Sequence, residues 1–260
     1  LYAEQYDAYL DSLGGENRVK YAEYARHVAG RLGMHGGEDR VAVIYAQGDI
    51  VYGKGTVSQI SEEVLRKGFE KAAEDDRVKA VVLRVNSPGG VSIKADNIWK
   101  MVEDLKSEKP VVVSMGDYAA SGGYYISCGA DYIFAEPTTI TGSIGVFAYI
   151  PNVEELAARN GITTDQVSIY PNSTDPTLLT PVSPGLSKII QNSVEQTYSQ
   201  FVSRVAQGRG MTWDQVDSIA QGRVWSGVSA LQIGLVDEIG GLDRAIAKAA
   251  DLAGGGGYSV

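Results

Sequence analysis

The 260-residue chain has one cysteine, Cys128, and two histidines, His27 and His35. A single cysteine forms no intramolecular disulfide. Cys128, between Ser127 and Gly129, reads as a small buried filler with no basic neighbour to make it a nucleophile. Both histidines precede the first core strand, where they read as solvated or capping residues. A Ser-His-Asp triad assembled within this chain is therefore set aside by counting. There is no Cys/His cluster for zinc, and no metal or cofactor is expected. No apolar run reaches the length of about 18 residues needed to cross a membrane, so the chain itself is expected to be soluble. A formal net charge of −9 argues against a nucleic-acid surface and a polybasic membrane patch. The chain opens on Leu1 without a basic segment ahead of an apolar run, and reads as a processing product or an expressed fragment. Walker, G-x-G-x-x-G and G-x-S-x-G signatures are all missing.

The composition is that of an ordinary globular domain, 44% hydrophobic and 21% charged. A chain of this size buries about three quarters of its unfolded surface without help from disulfides. Residues 1–38 read as a helical arm or linker from a preceding domain, broken at Gly33, Gly36 and Gly37. Short β-branched runs at 41–45, 78–85, 110–115 and 132–135 predict buried strands. Helical spacing predicts helices at 61–73, 93–105, 122–128, 151–160 and 186–206. The first of these has Ser61 as N-cap and Glu62 and Glu63 in its first turn. Strands alternating with helices predict an α/β fold with βαβ units on a mostly parallel sheet, over residues 39–252. Residues 253–260 read as a flexible Gly-rich tail.

Small residues crowd two strand ends, Ser87-Pro88-Gly89-Gly90 and Ala119-Ala120-Ser121-Gly122-Gly123. Ligands bind at such carboxyl ends in α/β sheets. Acyl transfer needs an exposed nucleophile and backbone N–H groups converging on one oxygen. Ser121, the Gly122 N–H and the N–H of Gly89 or Gly90 meet that need. Packing alone also produces small-residue turns, and the dipeptides do not separate the two readings. With histidine set aside, a serine can be activated by a lysine made neutral by burial. Lys94 reads as a helix-surface residue, Lys188 and Lys54 (the latter in a hairpin) as solvated, and none is assigned as base.

These residues resemble the signal peptide peptidases of the SppA type, serine peptidases with a ClpP/crotonase-like fold of repeated ββα units, a parallel sheet and helical extensions. Five blocks carry the resemblance in order: Val85-Asn86-Ser87-Pro88-Gly89-Gly90, residues 110–125, residues 139–146, Gly208-Arg209-Gly210-Met211, and Gly222-Arg223-Val224-Trp225-Ser226-Gly227 with Ile233-Gly234-Leu235-Val236-Asp237. The resemblance implies that Ser121 is the nucleophile of a Ser-Lys dyad and that Ser143 orients the lysine. It implies an oxyanion hole from Gly122 with Gly89 or Gly90. It further implies remnant signal peptides as substrates, and membrane association on the extracytoplasmic face of the inner or plasma membrane, or at a thylakoid. A homo-oligomer is implied too, a tetramer for long members. No lysine stands between Lys109 and Lys188, where short members of the family carry theirs. The chain therefore resembles the carboxyl-terminal half of a tandem-domain member whose amino-terminal half supplies the lysine. A crotonase-type acyl-CoA enzyme and a non-catalytic assembly domain are the alternatives.

Overall fold

The computed structural model describes residues 39–56, 58–167, 169–170 and 177–260. The expected arm at 1–38, with His27 and His35, lies outside them, as does part of the proline-rich stretch before residue 184.

Ten strands and eight helices are described. The strands are β1 (Asp39–Gln47), β2 (Asp49–Val51), β3 (Gln59–Ser61), β4 (Val78–Ser87), β5 (Val111–Ala120), β6 (Tyr132–Ala135), β7 (Ile140–Gly142), β8 (Val224–Ser226), β9 (Glu238–Ile239) and β10 (Tyr258–Ser259). The helices are α1 (Glu62–Glu74), α2 (Ser92–Lys106), α3 (Gly122–Tyr125), α4 (Glu154–Arg159), α5 (Pro184–Arg209), α6 (Trp213–Ile219), α7 (Gly227–Gln232) and α8 (Leu242–Leu252). The main sheet runs β10-β1-β4-β5-β6-β9, with β7 paired to the far end of β5 and β8 to β7. Every pairing is parallel except β7 with β8. The fold is the expected mixed α/β architecture with a mostly parallel sheet and added helices.

The central strands are apolar almost throughout because both of their faces are covered. Side chains alternate across a strand, so Val81, Leu83 and Val85 point one way and Ala80 and Val82 the other. The first set packs with Leu65 and Phe69 of α1, Ile98 and Val102 of α2, and Phe201 and Val205 of α5. The second set packs with Val41, Phe134 and the alanines Ala245 and Ala249 of α8. A small-residue helix fits that second face closely.

The helix ends follow local chemistry. Ser61 Oγ accepts the Val64 N–H at 3.3 Å and caps α1, as its position predicts. Ser183 caps α5 with Pro184 at its first turn, and Gly210 ends it in the left-handed conformation. Two expectations change. Lys54 does not lie in a hairpin, because β2 and β3 pair in parallel and the loop between them carries the chain back to the starting edge. Residues 258–259 are not merely a flexible tail, since they extend the sheet beside Asp39 and Arg40, where β1 offers an open edge.

One ion pair ties the helical extension to the sheet. Arg209, at the end of α5, donates to Asp237 at 2.6 and 3.0 Å and to the Gly234 carbonyl at 2.9 Å. Asp237 also accepts the Ile133 N–H of β6 at 2.8 Å. The Arg209 side chain is only 8% exposed. Removing its partner leaves a buried charge unpaired, so Asp237→Ala is expected to cost about 3 kcal/mol in urea unfolding. Arg204→Ala, at a more open pair, is expected to cost less.

Candidate active site

Strands β4 and β5 are neighbours, so their carboxyl ends deliver both small-residue turns to the same edge of the sheet. Ser87 pairs with Ala119, and the next residues of each strand leave the ladder. Ser121 follows with φ 50° and ψ −120°, a conformation outside the regions ordinary residues adopt. Its N–H donates to the Gly142 carbonyl of β7 at 2.9 Å, and its carbonyl accepts the Tyr125 N–H of α3 at 2.9 Å. The backbone is thus held on both sides of the residue, and the hydroxyl is turned out of the helix it begins.

The facing turn comes closer than a side chain permits. A Cβ on Gly89, which has φ 108°, would lie 2.6 Å from the Gly122 nitrogen and 2.9 Å from Ser121 Cβ. A Cβ on Gly90, with φ 146°, would lie 2.2 Å from the Ile50 carbonyl oxygen. Glycine meets both demands at once, the positive φ and the missing Cβ.

The amides of this turn have different duties. The Gly89 N–H donates to Ser87 Oγ at 3.1 Å. The Gly89 carbonyl accepts Ile50 N–H at 2.8 Å, and the Ile50 carbonyl accepts Val91 N–H at 3.0 Å. That is a parallel bridge between Ile50 and Gly90, and it leaves Gly90's own N–H facing away from β2. A Cβ on Gly122 would lie 3.2 Å from the Gly90 nitrogen, so the two amides adjoin. The Gly122 N–H, first in α3, has no acceptor within its helix. Gly90 and Gly122 are therefore the pair free to receive an oxygen, while Gly89 supplies the close approach.

Ser143 has φ 48° and follows β7. Its N–H donates to the Arg223 carbonyl at 2.8 Å. A cavity of about 910 Å³ opens here, and Gly89, Gly90, Ser121, Gly122 and Ser143 all line it. Its apolar wall is Ala95, Tyr125, Tyr198 and Phe201, with the Tyr125 and Phe201 rings 4.5 Å apart. Among the lining residues the only charged one is Asp49, and there is no lysine or histidine.

The lysines considered from sequence are elsewhere. Lys94 binds Glu62 at 2.9 Å, and Asn97 donates to the same carboxylate oxygen at 2.9 Å. These two hydrogen bonds, Asn97's first, pull the Glu62 carboxyl down to about 2. Lys54 and Lys188 are exposed. Lys109 donates to the carbonyls of Ala72, Ala73 and Asp75, where α1 ends. Cys128 is fully buried, and desolvation pushes its thiol up to about 12. Sequence reasoning singled out no role for Tyr198 or Gln221, although both line the cavity. The signal for Gln221 was its place directly before the Gly222-Arg223-Val224-Trp225 block.

A strained serine beside two free amides, at the carboxyl edge of a mostly parallel sheet layered with helices, defines a domain of the ClpP-like α/β class. Peptidase family S49 matches residues 103–255, and the chain belongs to that family. It is 39% identical to Protease 4 of Haemophilus influenzae, over 93% of this chain and 39% of that protein. It is 44% identical to Protease 4 of Salmonella typhi, over 82% of this chain and 34% of that protein. It is 36% identical to the chloroplastic serine protease SPPA of Arabidopsis thaliana, over 89% of this chain and 35% of that protein. The chain thus spans between 34% and 39% of these relatives' lengths.

Two outcomes follow from the geometry. Gly89→Ala is expected to drive the β4 turn away from Gly122 and to lower kcat/KM of the full-length protein on a peptide by about 100-fold or more, with the circular dichroism spectrum retained. Cys128 is expected to resist iodoacetamide at pH 8 in the folded protein and to react within minutes in urea, which intact-mass measurement reads directly.

Proposed function

We propose that this chain is the nucleophile-bearing domain of a serine endopeptidase that works with a Ser-Lys dyad. Ser121 Oγ attacks the peptide carbonyl while its proton passes to a neutral lysine amine. The oxyanion takes the N–H groups of Gly90 and Gly122, and Gly89 keeps those amides at the right distance. Collapse of the tetrahedral intermediate breaks the C–N bond, and the lysine returns the proton to the leaving amine. Water activated by the same amine then hydrolyses the acyl-enzyme. Ser143 holds the lysine amine by a hydrogen bond. No metal or cofactor enters this sequence of steps.

The observation that carries the reading is a strained serine in a cavity whose lining, among the described residues, has no lysine or histidine and Asp49 as its one charged side chain. In this reading the lysine is supplied by an amino-terminal half of the same protein. Relatives two to three times as long are consistent with that arrangement. The substrates are remnant signal peptides or other unfolded segments, cleaved in a homo-oligomer, a tetramer for the long form. The oligomer sits at the extracytoplasmic face of a membrane. No helix among the described residues is long and apolar enough to cross a bilayer, so attachment rests on other parts of the protein.

The test is chemical labelling of the full-length protein with a fluorophosphonate, followed by peptide mapping. Label on Ser121, together with a loss of at least about 1,000-fold in kcat for Ser121→Ala, is the expected result. Residues 1–260 alone are expected to cleave no peptide at a comparable rate. Undiminished proteolysis by the Ser121→Ala protein leaves this domain an assembly role only, and full activity of the isolated chain overturns the absent lysine.

A further inference from the structure

Among the described residues, three non-glycine residues hold a positive φ: Ser121 at 50°, Ser143 at 48° and Gln221 at 59°. All three line the same cavity. Backbone of this kind is strained for any residue but glycine and persists only where the surroundings over-determine it. The source of that constraint at Ser143 can be followed bond by bond. Its N–H donates to the Arg223 carbonyl at 2.8 Å, and the Ile144 carbonyl accepts the Gly222 N–H at 2.9 Å. On the other side, the Gly142 carbonyl accepts the Ser121 N–H. Residues 142–144 are therefore clamped between the Ser121 turn and the turn Gln221-Gly222-Arg223.

That second turn is itself strained and needs its own support. The Gln221 N–H donates to the Tyr198 hydroxyl oxygen at 3.3 Å. The hydroxyl in turn donates to Asp217 Oδ1 at 2.5 Å, in the last turn of α6. Asp217's second oxygen accepts the Gln221 side-chain amide at 3.4 Å. The Arg223 N–H closes the turn on the Ala220 carbonyl at 3.2 Å. Tyr198 projects from the middle of α5, so one hydroxyl joins the long helix, α6 and the strained turn. Desolvation first, and the Asp217 hydrogen bond second, raise that hydroxyl to about 12, which keeps its proton in place for the donation.

We infer that Tyr198 is a positioning residue of the site. Its hydroxyl, aimed by Asp217, sets the Gln221-Gly222-Arg223 turn, and the turn fixes Ser143 relative to Ser121. The ring of Tyr198 is cavity wall, but its polar atom reaches the chemistry only through the turn and Ser143. The inference rests on the proposed Ser-Lys reading, in which Ser143 holds the base.

The experiment uses the full-length protein with a peptide substrate, steady-state kinetics across pH, and a thermal melt for each variant. Tyr198→Phe keeps the ring and deletes the hydroxyl. It is expected to lower kcat by about 10- to 100-fold, the scale on which small misplacements of a catalytic group act. KM is expected to stay within about twofold, because the wall of the cavity is unchanged. The acid limb of the kcat profile is expected to move, since a loosened Ser143 no longer holds the amine. Asp217→Asn, which still accepts from Tyr198, is expected to retain more activity than Asp217→Ala. A native kcat and a native acid limb in Tyr198→Phe overturn the inference. So does a fall in kcat that follows a lowered melting temperature with the pH profile unmoved, which is a structural role only. Ser121→Ala in parallel separates the two readings. Activity surviving in that variant overturns the Ser-Lys reading and this inference with it, whereas its loss beside a native Tyr198→Phe overturns this inference alone.

Discussion

The site depends on how closely the ends of β4 and β5 approach. Parallel strands in one sheet are spaced by their ladder hydrogen bonds at about 4.8 Å, and side chains normally fill the space where the strands leave it. Here the turn after β4 has no side chain at Gly89 or Gly90, and the Gly122 nitrogen lies only 2.6 Å from where a Gly89 Cβ would be. That contact places two N–H groups side by side with neither used by the sheet. It also leaves Ser121 no ordinary backbone conformation, because its N–H is taken by β7 while its carbonyl must begin α3. The positive φ of Ser121 is therefore a consequence of joining a parallel strand to a helix within one residue.

Strain of this kind has to be balanced by rigidity elsewhere, and the helical extension supplies it. The Tyr124 hydroxyl, from α3, donates to the Leu235 carbonyl at 2.8 Å, and that loop leads directly to Asp237. Asp237 binds both Arg209 and the β6 backbone. The residues after α5 are thus fastened to the turn bearing Ser121 and to the strand beside it. A buried ion pair adds little net stability compared with an apolar pair, but it penalises every alternative in which either partner is alone. Arg209 ends α5, the helix that carries Tyr198 and Phe201 to the cavity wall.

Much of this architecture was legible in the sequence because it follows from local pattern. Apolar runs marked strands buried on both faces, Ser61 marked a helix start, and clustered glycines marked where backbones meet. That the Gly89 N–H is taken by Ser87 was not legible, since it is a matter of three-dimensional register. The role of Tyr198 was hidden for a related reason. A tyrosine at helical spacing among Val194, Thr197 and Phe201 reads as a core residue, and only the packing of α6 brings Asp217 within reach of its hydroxyl. The strand at 258–259 escaped detection because glycine-rich composition describes the linker before it, not the two residues that add to the edge of β1.

The electrostatics of the cavity bear on why the proposed dyad is divided. Tyrosine and phenylalanine rings form part of the cavity wall, and its one charged lining residue, Asp49, is at an exposed position. A lysine entering it loses hydration, and its pKa falls toward the range in which a neutral amine can take a proton from serine. Among the described residues, Lys94 is held away from that environment by Glu62 and Lys109 by the carbonyls that end α1. A base built into the same domain, as in the short members that the sequence resembles, has to be desolvated as that domain folds. In the proposed arrangement a second domain delivers the lysine, which couples that desolvation to the meeting of the two domains.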